Sequence, residues 1–469
     1  MLKVRPRSIA YGLACVAGLA LACDLLWMPI QVPDSLEELL DVQESPSLVA
    51  TFVAHSPRAP FLRPMRQVQI KMLFDASGGD HYWAVFRGFH ALLMIAAVLL
   101  FARALRVSTA IDLSAAAFAL VVLVGLHTFR GTVQEAFPIN HFLEIAVWCL
   151  LALNLAQSRA ALWVDAAAVG IFIVAALTLE SGLLVWVLAA AAWIVGWRGI
   201  STRGLAGMTI MLLGYAYFRS AYLATGVPTL ADRSSGYLLS VIDPAEIQQR
   251  FGARPLVFYT YNVIASALSV LFSEPQAGVF EAVRAWSQNQ MLPRVIVPIA
   301  TSTLTTALIV WAGARRLKAA TFDDTGRFIV VFAAVLCASA ALSFAYTKDE
   351  IMSTAGMFYG LAAFGACREA LIAAGRARRA VAVATVVVLG LLVTGWSIRS
   401  AGVHYMLRSQ AVKHQVDWVG EITRYGGDDG SAAGAARQRL IDQLRKESLA
   451  VEFPNPRVGP AWPMRLWMD

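Results

Sequence analysis

Acidic and basic side chains follow one another in a single polar stretch, residues 30–83, between two long apolar segments. The acids come first and the bases follow: Asp34, Glu37, Glu38, Asp41 and Glu44, then Arg58, Arg63, Arg66 and Lys71. Carboxylates can accept a proton as general bases, and arginines bind phosphate-like anions through paired N–H donors. The stretch could therefore hold a base and an anion-binding group on one short tether.

Asp34 has two interpretations. It lies three residues before Glu37 and ahead of an apolar run, which is the spacing of a capping box at a helix start, with Asp in place of Ser or Thr. The same carboxylate, or Glu37 or Glu38 beside it, could instead take a proton from a substrate hydroxyl. The spacing alone favours the cap, and the two roles are compatible.

The composition requires a membrane around most of the chain. Of 469 residues, 58% are hydrophobic and 15% are charged, and the mean hydropathy is +0.61. Apolar segments of about 20 residues, the length that crosses a bilayer, recur throughout. We therefore expect an all-α polytopic bundle of about eleven transmembrane helices. The net charge of +8 comes from Lys and Arg at helix ends, as the positive-inside rule describes, and does not indicate nucleic-acid binding.

Two regions follow from this pattern, a transmembrane module over 1–399 and an outer tail over 400–469. Inside the module we predict a first outer loop at 30–83 and a second at 226–254. The apolar segment 255–272 is predicted to be re-entrant. If it crossed the membrane, the cations Arg315, Arg316 and Lys318 would face outside, against the positive-inside rule.

The tail contains a predicted amphipathic helix over residues 432–449. Leu440, Ile441 and Leu444 lie on one side of it, and basic residues lie on the other. Such a helix could rest on an anionic membrane surface. A solvated polar face is the commoner explanation.

Other charged residues also fall at predicted outer turns: Arg130, Glu135, Glu180 and Lys348. A charged side chain at the centre of a membrane helix costs about 2.5–3.5 kcal/mol on insertion scales, so such residues usually line a wet cavity. Glu180 could equally belong to a plain surface turn, and Arg63 could simply meet lipid head groups.

No metal site is predicted. His90, His127 and His141 lack the i, i+4 spacing of helical zinc motifs. All five cysteines lie inside apolar segments and are most simply small buried hydrophobic residues.

The run FLRPMRQVQIKMLFDASGGDHYWAVFRGFHALLMIAAVLL resembles the region after the first loop of GT-C type glycosyltransferases. The likeness is greatest to polytopic members, often linked to TPR repeats, that use polyprenyl-phosphate sugars. Three later stretches agree in order: HTFRGTVQEAFPINHFLEIAVWCLLAL, LTLESGLLVW and YTKDEIMSTAGMFYGLAAF. There are also departures. Where the usual acidic pair would stand, the chain has Asp34, with Glu37 and Glu38 displaced. The arginine expected in the last stretch is missing, with Lys348 the nearest cation, and the TPR tail is absent.

The resemblance implies an inverting glycosyltransferase. It would move a sugar from a polyprenyl-phosphate donor to an acceptor at the periplasmic face of a bacterial inner membrane. Asp34, Glu37 or Glu38 would supply the catalytic base. Arg63, Arg66, Arg130 and Lys348 would bind the donor phosphate, and Glu135 and Glu180 would position the acceptor or line the cavity.

The partners implied by the resemblance are the polyprenyl-phosphate sugar, membrane lipids and a glycan, lipid or protein acceptor, with no nucleic acid. No cofactor is expected, and a divalent-metal requirement is left open. Two alternatives remain at this stage, a transporter or flippase for a lipid-linked or anionic substrate and a non-catalytic membrane subunit. The sequence has no clear inverted halves, which many transporters have.

Overall fold

The computed structural model of the chain describes residues 5–26, 33–55, 62–125, 139–222, 235–237, 240–252, 255–272, 278–289, 293–318, 323–345, 350–422 and 430–450. These residues are almost all helical. The exception is a short antiparallel pair, β1 (Ser235–Tyr237) and β2 (Ser240–Ile242), in which Gly236 lies opposite Val241.

The helices of the first half alternate between short loop helices and long apolar ones. In chain order they are α1 (Pro6–Leu26), α2 (Pro33–Glu44), α3 (Leu48–His55), α4 (Pro64–Ala76), α5 (Tyr82–Ala104), α6 (Ala110–Gly125), α7 (His141–Ala156), α8 (Leu162–Thr178), a 3₁₀ turn (Glu180–Leu183), α9 (Leu184–Ile194) and α10 (Thr202–Tyr217) with a π-helical turn (Phe218–Tyr222).

The second half contains the longest helices. They are α11 (Pro244–Phe251), α12 (Leu256–Phe272), α13 (Gly278–Ser287), α14 (Pro293–Lys318), α15 (Asp324–Leu342), a 3₁₀ turn (Glu350–Met352), α16 (Ser353–Arg376), α17 (Arg379–Ile422) and α18 (Ala432–Ala450).

Within the described residues, six helices are long and apolar enough to cross a membrane: α1, α5, α14, α15, α16 and the first 24 residues of α17. On α17 the side chains of Val383, Val386 and Leu391 are exposed, as expected for a surface that faces lipid rather than water. The prediction of a helical, multi-pass membrane protein is confirmed.

Helix α16 is the centre of the bundle. Every residue from Ser353 to Cys367 is buried, and the helix packs against α6, α14, α15 and α17. Its glycines allow this close packing, because a Cβ added at Gly360 would lie 3.1 Å from the Phe101 ring on α5. Small residues let membrane helices approach in this way.

Ion pairs join several helix termini at one end of the bundle. Arg368 Nε lies 2.7 Å from Asp112 Oδ1, which joins the end of α16 to the start of α6. Arg315 and Arg316 at the end of α14 both pair with Glu369. We call this the basic end, defined by Arg106, Asp112, Arg315, Arg316, Arg368 and Glu369.

The opposite end of the bundle holds α2, α3, α4 and α18, and we call it the loop end. The predicted tail helix is confirmed as α18. Its apolar side chains Leu440, Ile441 and Leu444 are buried in a cluster with residues of α2, α4 and α5. Since protein covers that side, it is not available to a membrane surface, which was the less common of the two interpretations of this helix.

Polar contacts add to the docking of α18. Gln43 Nε2 on α2 donates to the Ala436 carbonyl at 3.1 Å. The Glu447 carboxylate accepts backbone N–H groups of Tyr82 and Trp83 at 3.3 and 2.6 Å. Both N–H groups lie in the first turn of α5, where a helix offers no acceptor of its own and where the helix dipole also favours a negative charge. The tail thus caps a membrane helix.

Candidate functional site

The structure describes some of the predicted site residues and leaves others out. Glu37, Glu38, Arg63, Arg66 and Glu180 are described with their side chains. Helix α2 begins at Pro33 and includes Asp34, whose side chain lies outside what the structure describes. Arg130, Glu135 and Lys348 lie outside the described residues.

Arg63 forms an ion pair with Glu180. The Arg63 Nε and Nη2 atoms lie 2.9 and 2.5 Å from Glu180 Oε2. On the other side of the carboxylate, Arg219 Nη1 lies 3.6 Å from Glu180 Oε1. Glu180 therefore lies between two guanidinium groups, and it links the first loop to the end of α10.

Local sequence explains where this pair forms. Arg63 directly precedes α4, which has Pro64 in its first turn, a position that suits proline because no helical N–H is lost there. Glu180 opens the 3₁₀ turn, which runs very close to α8. A Cβ added at Gly182 would lie 2.0 Å from the Ala175 carbonyl oxygen, so glycine is required for this approach.

Arg66 forms a second ion pair, with Glu38. Arg66 lies in the first turn of α4, and Glu38 lies on α2, which packs against α4. Both side chains are largely buried, whereas Glu37 is exposed. Neither Glu38 Oε2 nor Arg66 Nε has a hydrogen-bond partner among the described residues. Each partner of this pair thus keeps an unused polar atom.

A third group, centred on Glu144, was missed by our sequence analysis. His141 Nδ1 donates to Glu144 Oε2 at 3.1 Å. Gln69 Nε2 and Trp148 Nε1 donate to Glu144 Oε1 at 2.6 and 2.9 Å. His141 and Glu144 are 5% and 2% exposed. The i, i+3 spacing of the two residues at the start of a predicted helix was the available sequence signal.

The third group lies beside the second pair. His141 interacts electrostatically with both Arg66 and Glu38. It also interacts with His90 on α5, whose own neighbour is the fully buried Arg87. His90 Nε2 accepts the Asn140 backbone N–H at 2.6 Å. Helices α2, α4, α5 and α7 thus bring these groups together at the loop end.

We call this set the polar cluster: Glu38, Arg63, Arg66, Gln69, Arg87, His90, His141, Glu144, Glu180 and Arg219. Among these described residues, four arginines stand against three carboxylates.

Several polar atoms of this region are buried and have no hydrogen-bond partner among the described residues. They are Glu38 Oε2, Arg66 Nε, Gln67 Oε1, Gln69 Oε1, His90 Nδ1, His141 Nε2 and Ser181 Oγ. Folded proteins satisfy the large majority of such atoms with protein groups or ordered water. Their concentration here indicates a place for water or a polar ligand.

A metal is not indicated by the same region. Among the residues that the structure describes, no group of three or more His, Cys, Asp or Glu side chains could hold a metal ion.

Comparison of the chain with protein-family models, with curated proteins and with solved structures finds no match.

Proposed function

We propose that this chain is an inverting glycosyltransferase of the GT-C kind, which moves a sugar from a polyprenyl-phosphate donor to an acceptor at the outer face of a membrane. The observation that carries the proposal is the polar cluster, in which paired arginines and unsatisfied buried atoms meet at the loop end. The resemblance of residues 61–100 and three later stretches to these enzymes supports it.

Arg63 and Arg66 are the proposed ligands of the donor phosphate. Both guanidinium groups lie at the start of α4 and both are held by carboxylates, Glu180 and Glu38. A guanidinium presents a fork of N–H donors that fits phosphate oxygens. The phosphate oxygens would accept hydrogen bonds from the Arg66 N–H groups that Glu38 does not use, and from Arg63 while it stays paired with Glu180. During transfer, both arginines would stabilise the negative charge that develops on the leaving phosphate.

The proposal includes eleven membrane crossings, with the cluster on the periplasmic side of a bacterial inner membrane. Helix α18 contacts α2 and the start of α5, so the chain must cross an even number of times between them. Ten crossings follow if α5 to α10 and α14 to α17 all span, and α1 makes eleven. If α12 also crossed, the number of crossings between the start of α5 and α18 would be odd, and the two could not lie on the same side.

Two contacts of α12 support a re-entrant path. Near its start, Asn262 Nδ2 donates to the Phe344 carbonyl at 2.9 Å, beside the loop end of α15. At its other end, the Leu271 carbonyl accepts a hydrogen bond from Thr306, which lies halfway along α14. These contacts place the beginning of α12 at the loop end of the bundle and its end halfway between the loop end and the basic end. Helix α13 then packs back against α12 and α14.

The experiment compares Arg63→Ala and Arg66→Ala with Arg159→Ala. Arg159 is an exposed arginine just after α7, at the basic end, where Arg106 donates to the neighbouring Gln157 carbonyl. Membranes that contain equal amounts of each variant would be supplied with a panel of polyprenyl-phosphate sugars, and glycosylated product would be measured by mass spectrometry.

We expect the two loop variants to lose function and Arg159→Ala to keep it. Loss of one hydrogen bond to a charged group costs roughly 1.5–3 kcal/mol, which is about ten- to a hundredfold in rate. Equal tolerance of all three substitutions would refute the phosphate site. Binding of the lipid without transfer by the wild-type protein would instead favour a transporter or a non-catalytic subunit.

A further inference from the structure

The His141 ring has one nitrogen in use and one unused. The carboxylate of Glu144 can only accept hydrogen bonds, so its contact with Nδ1 at 3.1 Å places the proton of a neutral ring on Nδ1. Nε2 then carries a lone pair, and it has no partner among the described residues although it is buried. An imidazole oriented by a carboxylate, with its far nitrogen free, is the arrangement of a general base.

Glu144 is itself held firmly. Gln69 and Trp148 donate to its Oε1 atom from α4 and from the next turn of α7, and Oε2 is left to His141. The carboxylate therefore has little freedom to rotate away, and the tautomer and the direction of the His141 ring follow from it.

His90 offers the complementary group. Its Nε2 atom accepts the Asn140 N–H at 2.6 Å, so a neutral ring has its proton on Nδ1, which has no partner in the described part of the chain. His90 and His141, which interact electrostatically, thus leave one donor and one acceptor unsatisfied. A hydroxyl group, with one proton and two lone pairs, can satisfy both.

Glu38 is a poorer candidate for the base. Its carboxylate forms an ion pair with Arg66. Protonation would remove the negative charge and break that ion pair. Glu37 is exposed, so its carboxylate is not among the buried groups.

We propose that His141 Nε2 is the general base of the transfer reaction and that Glu144 is its positioning residue. This inference rests on the proposed function. The acceptor O–H gives its proton to Nε2, and its oxygen forms the new bond to the anomeric carbon. The bond from that carbon to the phosphate oxygen breaks, and its electron pair leaves with the polyprenyl phosphate held by Arg63 and Arg66. The proton then leaves His141 for water.

Four charged or titratable side chains interact electrostatically with His141. Glu38 faces it from α2, Arg66 from α4, His90 from α5 and Glu144 from its own helix.

The test uses the purified full-length protein in lipid nanodiscs and the variants His141→Gln, Glu144→Gln and His404→Gln. His404 is a matched control, since its Nδ1 atom lies 2.5 Å from the Asp24 carboxylate in a pair outside the polar cluster. Two quantities are measured, the binding of polyprenyl phosphate by native mass spectrometry and the rate of sugar transfer between pH 5 and 9.

For His141→Gln we expect polyprenyl-phosphate binding within about twofold of wild type and a fall in kcat of about a hundred- to ten-thousandfold, the usual contribution of a general base. Its residual rate should lack the acid limb of the wild-type pH profile. Glu144→Gln should lower kcat by a smaller factor, and His404→Gln should match wild type.

Wild-type transfer rates in His141→Gln would overturn the inference and leave the proposed function standing. Absence of both binding and transfer in the wild-type protein would overturn the proposed function and this inference with it. If His141→Gln is not monodisperse, His141→Ala takes its place, and recovery of transfer with added imidazole is then the expected result. Failure of imidazole to restore any transfer in a folded, lipid-binding His141→Ala protein would overturn the inference.

Discussion

Substitution of Leu444 by alanine should release α18 from the first-loop helices. Leu444 is fully buried, in a cluster that includes Leu39 and Ile70. Truncation of a buried leucine costs about 2–5 kcal/mol, because transfer free energy is lost and a cavity is left. If the cost falls on docking, the undocked population rises by about 30-fold to about 4,000-fold, at 1.4 kcal/mol for each factor of ten.

Limited proteolysis measures that population directly. Trypsin can cut at the exposed Arg437, Arg439 and Arg445 of α18 only after the helix opens locally. When opening and closing are fast, the cleavage rate follows the equilibrium population of the open form. The matched control is Leu449→Ala in the same helix, because Leu449 is 56% exposed. That variant should change the cleavage rate by no more than about twofold.

Equal cleavage rates in Leu444→Ala and Leu449→Ala would refute the docking of α18. They would also remove the argument that the tail and the first loop lie on one side of the membrane, since that argument depends on the same contact.

Two further predictions concern the turn at Glu180 and the topology. Gly182→Ala should lower the midpoint of thermal unfolding and weaken transfer, because the new Cβ would clash with the Ala175 carbonyl and displace Glu180 from Arg63; overpacking typically costs about 1–3 kcal/mol. Gly170→Ala in α8, where the added Cβ meets no atom within 4 Å, is the control and should be neutral or stabilising. A periplasmic reporter enzyme should be active when fused after residue 450 and inactive when fused after residue 318. Activity at both positions, or only after residue 318, would contradict the eleven-crossing topology.

The helices of the bundle could be predicted from apolar length alone. The apolar runs at 141–157 and 161–179 correspond to α7 (His141–Ala156) and α8 (Leu162–Thr178). The end of α17 could not be found in this way. The apolar run in this region ends near residue 398, yet the helix continues to Ile422, because the residues after 400 are polar but still favour a helix.

The sequence could not predict which residues far apart in the chain contact each other in the fold. Arg63 and Glu180 were each named as candidate site residues, but they are 117 positions apart. No sequence pattern indicated that they would form an ion pair, which depends on the packing of the helices. Gln43 and Ala436 are separated by 393 positions, and the apolar side of α18 alone could not indicate that α2 would cover it rather than lipid.

The His141–Glu144 contact was different, because its signal was local. The histidines were compared only with the i, i+4 spacing of zinc sites, whereas His141 and Glu144 are three residues apart on one helix. Helical neighbours at i, i+3 face each other, so a search for histidine–carboxylate pairs at that spacing would have found them. Gln69 and Trp148, which hold Glu144 in place, still required the packing of α4 on α7.

The most direct measurement is an experimental structure of the purified protein with a polyprenyl-phosphate sugar bound. We expect phosphate oxygens at about 2.7–2.9 Å from the guanidinium nitrogens of Arg63 and Arg66, the usual length of charge-assisted contacts. The anomeric carbon should face the His141 ring. Phosphate bound at Arg315 and Arg316 on the basic end, with the polar cluster filled only by water, would contradict the proposed donor site.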